Sequence, residues 1–274
     1  MRAWAICGVL LMGCEPERPA AKRGVLLEEL TWQAAESRLT ADTVVVIPIG
    51  AAAKEHGPHL LLNNDFLLAE HFKMRVLAEA DVVVAPTVNY HYYPAFVEYP
   101  GSTSLRLETA RDLMVDVVRS LARFGPRRFY ALNTGVSTNR ALQPAAELLA
   151  AEGILLTYTD LLKSLEPVEK QVLRQAGGTH ADEAETSMML YLAPETVDMT
   201  KAVADFQPKK QGGFTRDPNG TKTYSASGVW GDPTLATREK GEVLVAALVA
   251  AMLADIAALR AAALPVATPV AATP

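Results

Sequence analysis

The chain is poor in cysteine and histidine and carries no long basic run. Its two cysteines, Cys7 and Cys14, both fall within the first fourteen of 274 residues. No disulfide framework and no cysteine-based zinc site can therefore hold a globular part together. Five histidines leave few positions for imidazole chemistry. With 26 Lys plus Arg against 31 Asp plus Glu, the net charge is −5 and nothing attracts a polyphosphate, so nucleic acid is not expected as a partner. What is abundant is apolar bulk: 50% of residues are hydrophobic and 21% charged, which excludes global disorder. The length fits one large α/β domain.

The cysteines belong to a segment outside that domain. Arg2 supplies one positive charge, residues 3–13 form an apolar stretch of signal-peptide length, and a polar segment starts at Glu15. Leu11-Met12-Gly13-Cys14 resembles the bacterial lipobox, in which the chain is cut before a cysteine that takes the lipid. Residues 1–13 are thus expected to be a signal peptide and Cys14 an acylated anchor, facing the periplasm on a membrane. Residues 15–23 read as a polar tether, 24–260 as the domain, and 261–274 as a disordered Ala/Pro tail.

Within the domain, short β-branched runs alternate with helical patterns, which predicts a mostly parallel sheet covered on both faces, a three-layer α/β/α sandwich. The strands are expected at 43–49, 81–85, 128–132 and 154–158, apolar throughout as doubly covered strands should be. Helices are expected at 28–39, 66–80, 107–123, 139–152, 160–175, 181–192 and 238–260. Ligands in such sheets bind beyond the carboxyl ends of the strands, so the segments after Ile49, Ala85 and Leu132 are where chemistry is sought.

Two of the chain's segments carry reactive groups. After the first run, Glu55, His56, His59 and Asp65 fall within eleven residues on a Gly/Pro loop, nitrogen and oxygen donors that suit Zn, Mn or Fe. The bland alternative is that Asp65 only caps the helix opening at Phe66. The second segment runs from Thr179 to Leu190. Thr179 with Asp182 three residues on predicts a capped helix start that puts His180 near the first turn. Glu185 then shares the apolar face with Met188 and Met189, where a carboxylate is costly unless paired or ligated. Asp182 and Glu183 are expected to point to solvent.

Further spaced motifs accompany these. They include Pro48-Ile49-Gly50, then His56-Gly57-Pro58-His59-Leu60 with Asp65 nine residues after His56, and Pro100-Gly101-Ser102. His180-Ala181 follows with Glu185-Thr186-Ser187-Met188-Met189-Leu190, and finally Gly228-Val229-Trp230-Gly231-Asp232-Pro233. Together, over residues 26–259, they resemble the creatininase (creatinine amidohydrolase) family, metal-dependent hydrolases of amide and cyclic amide bonds. The resemblance implies an α/β/α domain, often a hexamer, with one or two divalent metals at the carboxyl edge of the sheet and a small-molecule substrate. It puts His56 and Asp65 on metal-ligand positions, and His180 and Glu185 on the positions that handle protons around a metal-activated water. Lys54, His59, Asn133 and Tyr93 are expected to line the substrate pocket.

The departures from the family bear on the activity. A ligand glutamate stands two residues before the histidine in the family, and here that position is Lys54, with Glu55 adjacent and the loop one residue longer. The Asn-x-His-Gly-Gly-Asn segment reads Asn133-Thr134-Gly135-Val136-Ser137-Thr138-Asn139, with no imidazole. Phe96 replaces a histidine before Pro100-Gly101, although His91 lies nearby. Two firm ligands are fewer than the three a catalytic zinc keeps. One metal is therefore expected rather than two, held by His56, Asp65 and a third group, Glu55 first and His180, Glu185 or His59 behind it. The other expectation is a non-catalytic relative, in which Lys54 pairs with Asp65 or Glu185 where the metal would be and the pocket binds a small polar ligand or a partner.

Overall fold

The computed structural model describes residues 23–208, 210 and 212–268. The signal segment, Cys14 and the end of the tail lie outside the described residues. Strands β1 (Val25–Leu26), β2 (Val44–Ile49), β3 (Val83–Val84), β4 (Arg128–Asn133) and β5 (Leu155–Tyr158) form one parallel sheet in the order β1-β3-β2-β4-β5. All six residues of β2 are buried, as a run apolar on both faces requires.

Period-two alternation divides β2 between two cores. Val44 and Val46 pack with helices α2 (Asn64–Glu79), α5 (Leu161–Val172), α6 (Glu183–Leu192) and α7 (Arg238–Ala261). Val45, Ile47 and Ile49 pack with α1 (Trp32–Arg38), α3 (Leu107–Ala122) and α4 (Asn139–Ala150) on the other face. Each fully buried Val, Leu or Ile contributes about 1.5–3 kcal/mol, so the two clusters carry the fold. The three-layer α/β/α sandwich with a mostly parallel sheet is what the structure shows.

Several boundaries move for local reasons. Helix α1 starts at Trp32, because Thr31 accepts the Ala34 amide and a 3-10 turn takes Leu27–Glu29. The expected 181–192 helix starts at Glu183, because the cap is Asp182, which accepts the Glu185 amide at 3.0 Å, and not Thr179. Strand β1 and a small parallel pair, Phe214–Thr215 with Thr223–Tyr224, are too short to leave a periodic signal. Helix α7 reaches Ala261, and the segment after it runs back along the domain, where the Thr268 amide donates to Ala151 O at 2.8 Å.

The site follows from the topology. Ile49 ends β2 directly beside Asn133 at the end of β4. From there the chain turns into α2 in one layer and α4 in the other, so the two exits diverge and leave a crevice at the switch point.

Candidate active site

The β2 exit brings an ammonium, two imidazoles and two carboxylates together. Residues 54–56 leave β2 on a buried loop, and Asp65 stands in the first turn of α2. Lys54 Nζ lies 2.6 Å from Asp65 Oδ2, and His56 Nε2 lies 2.8 Å from Asp65 Oδ1. His56 Nδ1 lies 2.9 Å from Lys54 O, which fixes the ring plane. The Asp65 carboxylate therefore does not cap its own helix. Burial pushes it up, but Lys54 and His56 outweigh burial and hold it well below the usual carboxylate range. Burial likewise lowers the Lys54 ammonium, and Asp65, Glu185 and Glu55 reverse this so that the net direction is up.

A main-chain clamp sets the position of that carboxylate. The Thr134 hydroxyl, just past β4, lies 3.0 Å from both Ile49 O and Asp65 O. The Phe66 amide donates to Ala51 O at 3.1 Å. No sequence motif marks Thr134 for this role.

Glu55 turns inward on the longer loop. Its Oε2 lies 2.9 Å from His180 Nε2, and its Oε1 accepts the Gly57 amide. Gly228, at φ +87°, stands against this carboxylate, where a Cβ would collide with Glu55 Oε1. Burial raises the Glu55 carboxyl, but His180 and the Gly57 amide more than offset it and bring it below its ordinary value. Glu55, expected as a metal ligand, is thus engaged with His180.

His180 sits in an extended segment bridged to Trp230, ahead of α6, and Ala181 beside it has φ 47°. That left-handed backbone turns the chain so that Ala181 donates its amide to Glu185 Oε2 at 2.5 Å. His180 Nδ1 is 3.7 Å from the same oxygen. Burial is the main cause that lifts the Glu185 carboxyl to about 7, with Asp65 and Asp182 adding to it and His180 and Lys54 opposing. Phe96 lies against His180 with ring centroids 4.0 Å apart and the rings tilted by 35°, and Lys54 Nζ lies 5.1 Å above the same phenyl ring. Phe96 is therefore a wall of the site.

Asp182 and Glu183 are not solvated. Both are buried: Asp182 accepts from Gln175 Nε2 at 2.6 Å, and Glu183 from the Arg174 and Gln175 amides at 2.8 and 2.7 Å and from Lys240. The costs of burial are met by these bonds. Of the residues expected to line the pocket, Lys54 does, whereas Asn133, His59 and Tyr93 do not. Asn133 is spent on the turn after β4, bonding Gly135, Thr138 and Asn139. His59 bonds Thr186 on α6 at 2.8 Å, and burial lowers its ring to about 4. Tyr93 lies beneath Lys54, whose Nζ is 5.7 Å from its ring, while Tyr92 reaches the cavity. His91 is buried beside Tyr93 and stays outside the cavity.

His56, His180 and Glu185 each offer a ligand atom within 4.8 Å of the others. Two imidazoles and a carboxylate form a donor set that suits Zn or Mn and meets the count a catalytic zinc needs. The residues present fit one such cation, for which His56 would exchange its Nε2 contact with Asp65. Asp65, which a second would require, is already paired with the Lys54 ammonium.

The Creatininase family, described as creatinine amidohydrolase, matches residues 28–256. The creatinine amidohydrolase of Pseudomonas putida is 31% identical over 248 residues, covering 81% of this chain and 92% of the relative. The mycofactocin precursor peptide peptidase of Mycolicibacterium smegmatis is 28% identical over 218 residues, 75% of this chain and 81% of the relative. The 3-dehydro-scyllo-inosose hydrolase of Thermotoga maritima is 26% identical over 258 residues, 85% and 81% of the two chains. A crystal structure of creatininase superposes with a TM-score of 0.73 at 27% identity, covering 87% of this chain and 99% of that one. Other solved creatininases are described as a Mn form and a Zn-Zn type. On motifs, fold and alignment alike, this chain belongs to the creatininase family of hydrolases.

Proposed function

We propose that the chain is a metal-dependent amidohydrolase that opens a small amide or cyclic amide with one divalent cation. The observation that carries this reading is the His56, His180 and Glu185 cluster at the carboxyl edge of the sheet, two members of which line a cavity. A cation held by these three would polarise the substrate carbonyl and lower the pKa of a water. The other groups orient and move protons. Glu55 and Phe96 fix the His180 ring from its edge and its face. Glu185 uses one oxygen for the Ala181 amide, so its other oxygen is the one left to face the cation and its water. Lys54 supplies a fixed positive charge beside Asp65 in place of a second cation.

Elemental analysis of the purified protein, paired with hydrolysis assays on simple amides, tests this. One equivalent of Zn, Mn or Fe, lost with activity in His56→Ala, is expected; a folded, metal-free protein that gains neither metal nor activity on incubation with these ions overturns it. The Lys54–Asp65 and Glu55–His180 contacts favour a second reading, a pocket held in shape without a cation that binds a small polar ligand and leaves it intact. The metal-free outcome supports that reading.

The lipobox-like Leu11-Met12-Gly13-Cys14 supports an exported, lipid-anchored enzyme facing the periplasm. Loss of membrane association in Cys14→Ala is the check. The family resemblance supports a homo-oligomer, a hexamer, measurable by light scattering.

A further inference from the structure

The cavity beside His180 and Glu185 is larger and greasier than a small polar ring requires. Its volume is about 360 Å³, within the range of pockets that bury drug-sized ligands. Lys54, His180 and Glu185 line it. Its apolar limb comes from four helices, with Leu68 and Phe72 of α2, Leu162 and Leu165 of α5, Met188 of α6 and Leu248 of α7. A polar ligand would leave this limb wet and its own hydrogen bonds unmet there. Glu169 also lines the cavity.

One cation on the cavity wall is unspent. Lys54 is paired with Asp65, whereas Arg140, in the first turn of α4, makes no ion pair or side-chain hydrogen bond among the described residues. A guanidinium presents a fork that matches a carboxylate.

Resting on the hydrolase reading, we propose that the substrate is an amide with a branched aliphatic or aromatic arm, lodged among α2, α5, α6 and α7, and a carboxylate read by Arg140. His180 and Glu185 line the same cavity as both recognition points. The class differs from a small, wholly polar cyclic amide in needing both an oily arm and a negative charge.

Binding of three non-hydrolysed probes by calorimetry tests it: 4-methylpentanoate, the uncharged 4-methylpentan-1-ol, and acetate. Each methylene taken out of water adds a factor of about four, so 4-methylpentanoate should bind at least about thirtyfold tighter than acetate. Leu162 is 42% exposed, so Leu162→Trp can narrow the limb without disturbing the core, and it should weaken 4-methylpentanoate about tenfold. Arg140→Met should weaken the acid about tenfold and leave the alcohol unchanged. Equal affinity for 4-methylpentanoate and acetate, or no effect of either variant, overturns the proposal. If small polar amides are hydrolysed while no apolar probe binds, the substrate class fails and the hydrolase reading stands. If the probes bind as expected and no amide is ever cleaved with metal present, the reaction fails and the ligand class stands.

Discussion

Lys54 and Asp65 form a buried ion pair, Nζ to Oδ2 at 2.6 Å, where the chain leaves β2 for α2. Removing one member of a buried pair leaves the other charge uncompensated, which costs about 3–5 kcal/mol. Lys54→Met should therefore lower stability by about 3 kcal/mol, the lower end because His56 still contacts Asp65. Urea unfolding should find the Lys54→Met, Asp65→Leu double variant less destabilised than the sum of the two single changes.

Lys54→Glu should do something different. It replaces the ammonium by a second carboxylate beside Asp65, and two oxygen donors at that place suit a further divalent cation. Elemental analysis should read one equivalent of metal more than in the unaltered protein.

Gly228 is the position least able to take a side chain at the site. Gly228→Ala meets both a left-handed φ of +87° and the Glu55 carboxylate. A loss of about 2–3 kcal/mol is expected in thermal or urea unfolding. Glu55 is displaced from His180 at the same time, so hydrolysis should fall further than stability explains, measured well below the melting temperature.

Glu169 gives the fold a pH dependence. Its carboxyl sits at about 7 in the folded chain, raised from 4.5. Between these values the folded chain keeps a proton that the unfolded chain has released, so this contribution to stability is present below pH 4.5 and is lost as pH rises through 7. The group is partly exposed, so solvent screening reduces the effect to about 1 kcal/mol. Glu169→Gln should remove the slope, gaining about that much at pH 8 and nothing at pH 4 in urea unfolding.

Chelation tests the cation from the side of folding. At a free metal concentration about 100 times its Kd, binding stabilises the native state by about 2.7 kcal/mol. EDTA should lower the unfolding midpoint accordingly and abolish turnover, and one equivalent of Zn or Mn should restore both.

The parts of this fold that were legible in the sequence are those set by burial and period. β2 and β4 are long enough, and apolar enough, to announce a doubly covered sheet, and a loop at a strand end follows from them. The cluster of Glu55, His56 and Asp65 could be seen as a cluster. Its pairing could not, because which carboxylate meets which partner depends on loop geometry: Glu55 turns to His180 of α6's approach, 125 residues away in sequence. The start of α6 was misplaced because Thr179 and Asp182 are both good caps, and only the bridge of His180 to Trp230 decides between them. The burial of Asp182 and Glu183 depends likewise on Gln175 and Lys240, which no local pattern links to them.

The Thr134 clamp bears on how such a site can change. Besides the contacts of its carboxylate, Asp65 is held through its backbone, by the Thr134 hydroxyl just past β4 and, at the next amide, by the Ala51 carbonyl. The walls therefore do not need a cation in order to stand. Changes among the side chains that face Asp65, at Lys54 or Phe96, therefore leave this frame in place. Architecture and reactivity rest on different atoms here: main-chain bonds set the crevice, and side chains set its chemistry.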